Sequence, residues 1–249
     1  MKKIVYILSF MTLTGCNIDE VLNCFETSGD IVQREIDIDA FKDIIVFHRV
    51  ELIVSQGPTQ RVVVETGEKL LDDINVRVED SILKISDRNG CNLVRDFTLT
   101  KVYVTSPEVR VIRNSSGFMV KSQGVLRFDD LTLLSEDRVI EGEFRTDGDF
   151  DMDLDVRILS VRANGLSKFC LRGETEFLSI RIFDSDARIE AGDLTAEGVL
   201  VFHRGTNKII VNPQRTIRGE IASLGDVIAK TRPPIVEVEE LFTGRLIFE

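Results

Sequence analysis

The sequence predicts an all-β fold of the β-solenoid (β-helix) kind. Three observations carry this. From residue 31 onward, apolar and polar residues alternate, and after the first fifteen residues no segment keeps helical i, i+3, i+4, i+7 spacing over three turns. Val161, Ile180, Val201 and Ile221 recur 19, 21 and 20 residues apart, each before a small or polar corner. A period near twenty with short strands marks rungs that stack at roughly 4.8 Å. The inward Val, Ile and Leu are each worth about 1.5–3 kcal/mol when buried, and no rung can bury its face alone.

The N-terminus precedes the fold. Lys2 and Lys3 form a positive start, and Ile4 to Met11 form an apolar run too short to span a bilayer. Leu13-Thr14-Gly15-Cys16 then reads as a lipobox, with Cys16 the lipidated residue of an exported bacterial lipoprotein. Residues 1–15 are read as signal peptide and 16–30 as a tether. That tether reaches at most on the order of 50 Å when stretched. Removing residues 1–15 takes away two lysines and no acid, so the charge goes from −11 to −13. Such a surface repels nucleic acid, and the expected membrane contact is through lipid on Cys16.

The domain is read as residues 31–249, with a first half at 31–108, repeated rungs at 109–230 and a cap at 231–249. Ile44–Phe47, Val50–Val54, Arg61–Glu65, Ile74–Val78, Ile82–Ile85 and Thr98–Val104 read as strands. Glu68–Asp73 reads as one helical turn. Four strand–corner–strand units follow from Ser160, Ser179, Leu200 and Glu220, with an earlier copy at Val109–Val120. Pro233-Pro234 breaks the repeat. Ile235–Glu239 and Arg245–Phe248, joined by Thr243-Gly244, predict a C-terminal capping hairpin over the bare last edge.

Several stretches resemble the head GIN domain family of auto-transporter adhesin domains, common in Bacteroidetes-type exported lipoproteins. They are "VELIVSQGP" within Ile44–Pro58, "VVVETGEKLLDDINVRVEDSILKIS" at Val62–Ser86, "KVYVTSPEV" at Lys101–Val109, and the Gly/Ser/Asn-containing corners beyond. The resemblance covers about residues 31–230. It implies a right-handed parallel β-solenoid and an adhesin-like role, and it brings no catalytic residues with it. Its Gly-Ser-Gly corners are thin here, replaced by Arg113-Asn114-Ser115-Ser116-Gly117 and its counterparts.

Candidate chemistry is sparse. The only two histidines, His48 and His203, sit in two copies of Val-Phe-His-Arg. Both are read as strand-end residues before a corner, not as a joint metal site. Asn114 and Asn164 fall at equivalent corners, where Asn tolerates left-handed backbone. Asp149, Asp151, Asp153 and Asp155 alternate with Phe150, Met152 and Leu154, which makes them a solvated acidic face or a loose calcium site. The EF-hand pattern fails, since position six is Leu154 and position twelve Ser160. Export places the cysteines in an oxidising compartment. Cys24 and Cys91, both in irregular segments, are expected to pair, and Cys170 to be a strand residue. No CxxC, P-loop, HExxH or dinucleotide fingerprint is present.

The sequence therefore points to a non-enzymatic binding module of the cell envelope, lipid-anchored to the outer membrane and facing the periplasm or the surface. Its partner is an unidentified surface polymer or protein, and no metal or cofactor is expected. A polysaccharide-active hydrolase or lyase on the same scaffold, using paired carboxylates, and a structural envelope protein are the alternatives. With no Trp and two Tyr, an aromatic carbohydrate platform loses ground.

Overall fold

The computed structural model describes residues 27–89, 100–138 and 142–249. The signal segment, Cys16, Cys24, Cys91 and most of the tether lie outside the described residues. The fold is all-β, one mixed sheet that is nearly closed and barrel-like. No helix among the described residues is long and apolar enough to cross a membrane.

The first part comprises β1 (Ile31–Ile36), β2 (Asp43–Phe47), β3 (Glu51–Gln56), β4 (Arg61–Gly67), β5 (Ile74–Glu79), β6 (Ile82–Asp87) and β7 (Lys101–Ser106). Here pairing is mixed. β4 runs antiparallel to both β1 and β7, and β5 antiparallel to β6. The β5–β6 hairpin follows from Asp80 and Ser81, whose φ of 52° and 63° give the two left-handed residues of a twist-matched tight turn. Glu68–Asp73 forms the expected single turn, a 3-10 helix that buries Leu70 and Leu71.

The second part comprises β8 (Val111–Ser115), β9 (Val120–Ser122), β10 (Asp130–Ser135), β11 (Phe150–Ala163), β12 (Lys168–Ser185), β13 (Arg188–Gly205), β14 (Ile209–Ile221), β15 (Val227–Ala229), β16 (Ile235–Glu240) and β17 (Leu246–Phe248). Every ladder here is parallel. Two inward columns organise the core. One runs Leu52, Val120, Phe150, Phe169, Ile189, Ile209, Val227 and Leu246. Within it Phe150 and Phe169 stack with centroids 4.7 Å apart. The other passes through Ile44, Ile112, Leu133, Val161, Ile180 and Val201. Alternation explains both, because in a parallel register each inward residue lies over the inward residue of the rung before.

Three expectations need correction. Uniform parallel rungs do not extend through residues 31–108, where short turns such as Asp80-Ser81 force antiparallel return. The last repeat anchor is displaced: Val201 pairs with Gly219, and Ile221 pairs with His203. Register shifts at Ala191/Thr195 and Ala196/Gly198 absorb the difference. Gly219 is required there. Its φ is 130°, and a Cβ would lie 1.8 Å from the Val201 carbonyl oxygen. Finally, residues 231–249 form no capping hairpin. β16 pairs parallel with β14, and β17 parallel with β15, so the segment is one more rung. The Thr243-Gly244 turn is a corner, where Gly244 N–H donates to the Ser223 carbonyl at 2.9 Å.

Candidate functional site

The two histidines are not equivalent. β2 ends at Phe47, and His48 and Arg49 turn away with φ of 40° and 56°, so His48 is exposed. The second copy stays in β13. His203 is fully buried, stacked between Ile182 and Ile221. Its Nε2 lies 2.8 Å from the Asn207 carbonyl oxygen. That oxygen can only accept, so Nε2 carries the proton and Nδ1 is a bare, buried lone pair without a partner among the described residues. Burial lowers the imidazole pKa, opposed by the Asn207 hydrogen bond and by Asp226. The expectation that each histidine is the last strand residue before a corner holds for neither: His48 lies just past the end of β2, and His203 lies inside β13.

The aspartate run alternates as expected, with Phe150, Met152 and Leu154 buried behind it. Its outward carboxylates are engaged. Arg172 holds Asp151 at 2.6 Å and Asp153 at 2.7 Å, Arg127 holds Asp155 at 3.1 Å, and Asp149 accepts from the Lys168 N–H at 2.7 Å. These are charge pairs built across strands, in which two guanidiniums offset part of the charge of four carboxylates. Among the described residues no group of three His, Cys, Asp or Glu is placed to hold a metal.

The corner asparagines act through hydrogen bonds and not through left-handed backbone. Buried Asn114 donates to the carbonyls of Phe118 at 2.8 Å and Asp149 at 2.9 Å. Asn164 donates to Asp137 at 2.7 Å. Neither has positive φ. Cys170 is a half-buried free thiol inside β12, as expected of a strand residue.

A site that local sequence reading missed lies on the outward side of the second column. The partners Arg113, Leu134, Arg162, Arg181, Phe202 and Glu220 form one cross-strand row. Glu136 is only 2% exposed and holds Arg162 at 2.8 Å, while its main-chain carbonyl accepts from Arg113. The Arg113 guanidinium lies 4.2 Å from the centre of the Phe144 ring, and that of Arg138 lies 3.6 Å from the centre of Phe183. Such cation–π contacts fix a guanidinium without neutralising it. Phe183 in turn packs on Phe202, centroids 5.3 Å apart. Beside this row opens a groove of 360 Å³ lined by Arg181, Phe183, Leu200, Phe202, Gly219 and Glu220, with Val201 behind.

The groove is cationic at one end and acidic at the other, with aromatic rings between. Surface arginines elsewhere, such as Arg157, Arg172 and Arg218, hold a carboxylate within 2.9 Å. Arg181 is exposed and has no carboxylate partner among the described residues. No local motif announces this arrangement. Arg138, Arg181, Phe202 and Glu220 come from four rungs, and only register brings them together.

Fold and surface define a class: an all-β scaffold, a nearly closed mixed sheet, that presents an open lateral groove. The chain belongs to the family described as "Putative auto-transporter adhesin, head GIN domain", whose model matches residues 40–233. It is similar in fold to a solved "putative adhesin" of Bacteroides fragilis, at TM-score 0.77 and 21% identity over 88% of this chain and 97% of that one. A "putative lipid binding protein" of Parabacteroides distasonis follows at TM-score 0.62 and 16% identity, with the same coverage of 88% and 97%. A "putative adhesin" of Parabacteroides merdae follows at TM-score 0.54 and 14% identity, again over 88% and 97%. No curated protein matches the chain.

Proposed function

We propose that this chain is a non-enzymatic, adhesin-like binding module of the bacterial cell envelope, anchored to the outer membrane by lipid on Cys16. Its repeated segment works as a right-handed parallel β-solenoid whose lateral face meets a surface polymer or protein. The observation that carries the reading is the open lateral groove at Arg181, Phe183, Phe202 and Glu220, a shallow and chemically mixed surface on a stiff row of strands. Family membership supports the same reading. The lipobox ahead of Cys16 supports the anchor, and a Cys24–Cys91 disulfide would fasten the tether to the domain.

Three measurements test this. The full chain and Cys16→Ser are expressed in a Bacteroidetes host and followed by detergent partition, with non-reducing peptide mapping of the cysteines. Wild type is expected in the detergent phase and the variant in the aqueous phase; identical partition refutes the anchor, and a free Cys24 refutes the disulfide. Separately, the full chain in detergent is presented to envelope fractions of neighbouring cells. Retention is expected, and none would refute the binding role.

A further inference from the structure

We infer that the lateral groove is a subsite for an acidic carbohydrate, a polymer of carboxylate-bearing sugars. In this arrangement the sugar carboxylate sits on Arg181, an apolar ring face lies on Phe202, and hydroxyl groups donate to Glu220. The inference deepens the binding role proposed above and rests on it.

Charge gives the first reason. The chain carries −11 overall, yet Arg113, Arg138, Arg162 and Arg181 gather around one face. The carboxylate inside that cluster, Glu136, is buried and already bound to Arg162. Asp137 is held by Asn164, and both Asp137 and Glu143 act on Arg113. At the groove itself the cation is Arg181, which has no carboxylate partner among the described residues, with Glu220 at the opposite end. A guanidinium fork matches a carboxylate in two parallel hydrogen bonds.

Rigidity gives the second reason. Arg138 is stacked on Phe183, Arg113 on Phe144, and Arg162 is pinned by Glu136. The surroundings of Arg181 are therefore ordered before an anion arrives, which lowers the cost of binding.

The acidic end of the groove selects among anions. Glu220 would repel a nucleic acid or an anionic lipid surface, which offer phosphates and little else there. A sugar offers donors as well, and its hydroxyl groups satisfy Glu220. The Phe202 ring favours a ligand with an apolar face. An acidic peptide could pair with Arg181, but it brings neither a hydroxyl array nor a flat ring face.

The test uses the full chain in detergent, captured on a biosensor surface, with polygalacturonate, dextran and polyglutamate as probes. Polygalacturonate is expected to bind, with affinity that falls as salt rises, and dextran is not. Arg181→Ala is expected to weaken polygalacturonate by about tenfold or more, the loss of a charge-assisted pair, with an unchanged melting curve. Phe202→Ala is expected to weaken it too. Arg215→Ala, 77% exposed beside Glu197, is expected to change nothing. No binding of polygalacturonate, equal binding of dextran, tighter binding of polyglutamate, or indifference to Arg181→Ala would overturn the inference. Envelope fractions separate the two levels. Retention of both wild type and Arg181→Ala there leaves the binding role standing and removes the acidic-sugar site. Failure of wild type itself removes the binding role.

Discussion

His203 gives the sharpest test of the folded core. The ring is fully buried in an inward position between Ile182 and Ile221, bonded once to the Asn207 carbonyl and bare at Nδ1. His203→Ala removes that hydrogen bond, about 1 kcal/mol net, and leaves a hole in a packed column, so the total should be about 2–4 kcal/mol. His203→Leu fills the hole. It loses the bond to Asn207 but also removes a buried, unpaired lone pair whose desolvation costs about 1–3 kcal/mol, so it should be near neutral or slightly stabilising. The pH dependence separates these from ordinary packing effects. Burial depresses the native imidazole pKa below its unfolded value near 6.5. The unfolded chain therefore binds the proton first as pH falls. This contribution to stability is complete above the unfolded pKa and is lost as pH drops from there toward the native pKa. Its slope can reach at most about 1.4 kcal/mol per pH unit for one proton. Urea midpoints at pH 7.5 and 5.5 should show wild type losing more stability than His203→Leu. His48→Ala, on the exposed corner, should cost well under about 1 kcal/mol. A His203→Leu variant with the wild-type pH slope, or a His203→Ala variant of wild-type stability, would refute the buried placement.

Two further outcomes follow from the register. Gly219→Ala should cost about 3 kcal/mol or more in urea denaturation, because its Cβ would meet the Val201 carbonyl oxygen at 1.8 Å in a backbone conformation nearly confined to glycine; a loss under about 1 kcal/mol would mean that β13 and β14 pair differently. Calcium and EDTA should leave the wild-type melting temperature unchanged, since Arg172 already occupies Asp151 and Asp153. Arg172→Ala should instead gain a calcium-dependent rise, and calcium-stabilised wild type would show that the aspartate face is an ion site as it stands.

Period-two alternation located most strands of the domain and the single turn at Glu68–Asp73, because those features depend on neighbours in the chain. Val161, Ile180 and Val201 were correctly aligned as one column for the same reason. Ile221 was misplaced because two register shifts in β13 alter how many residues each rung uses, and a fixed period cannot see a bulge. His203 was read as a corner residue because Arg204-Gly205 looks like a turn. Its spacing from Val199 and Val201 already placed it inward, and the strand continues through Gly205. The last rung was mistaken for a hairpin because Thr243-Gly244 has turn composition whichever way the chain then runs. The groove was invisible for a deeper reason. Arg138, Arg181, Phe202 and Glu220 are far apart in sequence, and their meeting depends on register, which no short motif encodes.

The inward columns also limit where the chain can change its length. A single residue inserted within β13 ahead of Val201 would turn every later side chain of that strand to the opposite face, sending Val201 outward and Phe202 in. Two inserted residues would keep each side chain on its own face but slide Phe202 along β12 and β14, out of register with Arg181 and Glu220. The outward row at the groove therefore tolerates neither change within β13, and length variation in related chains belongs at the corners between strands.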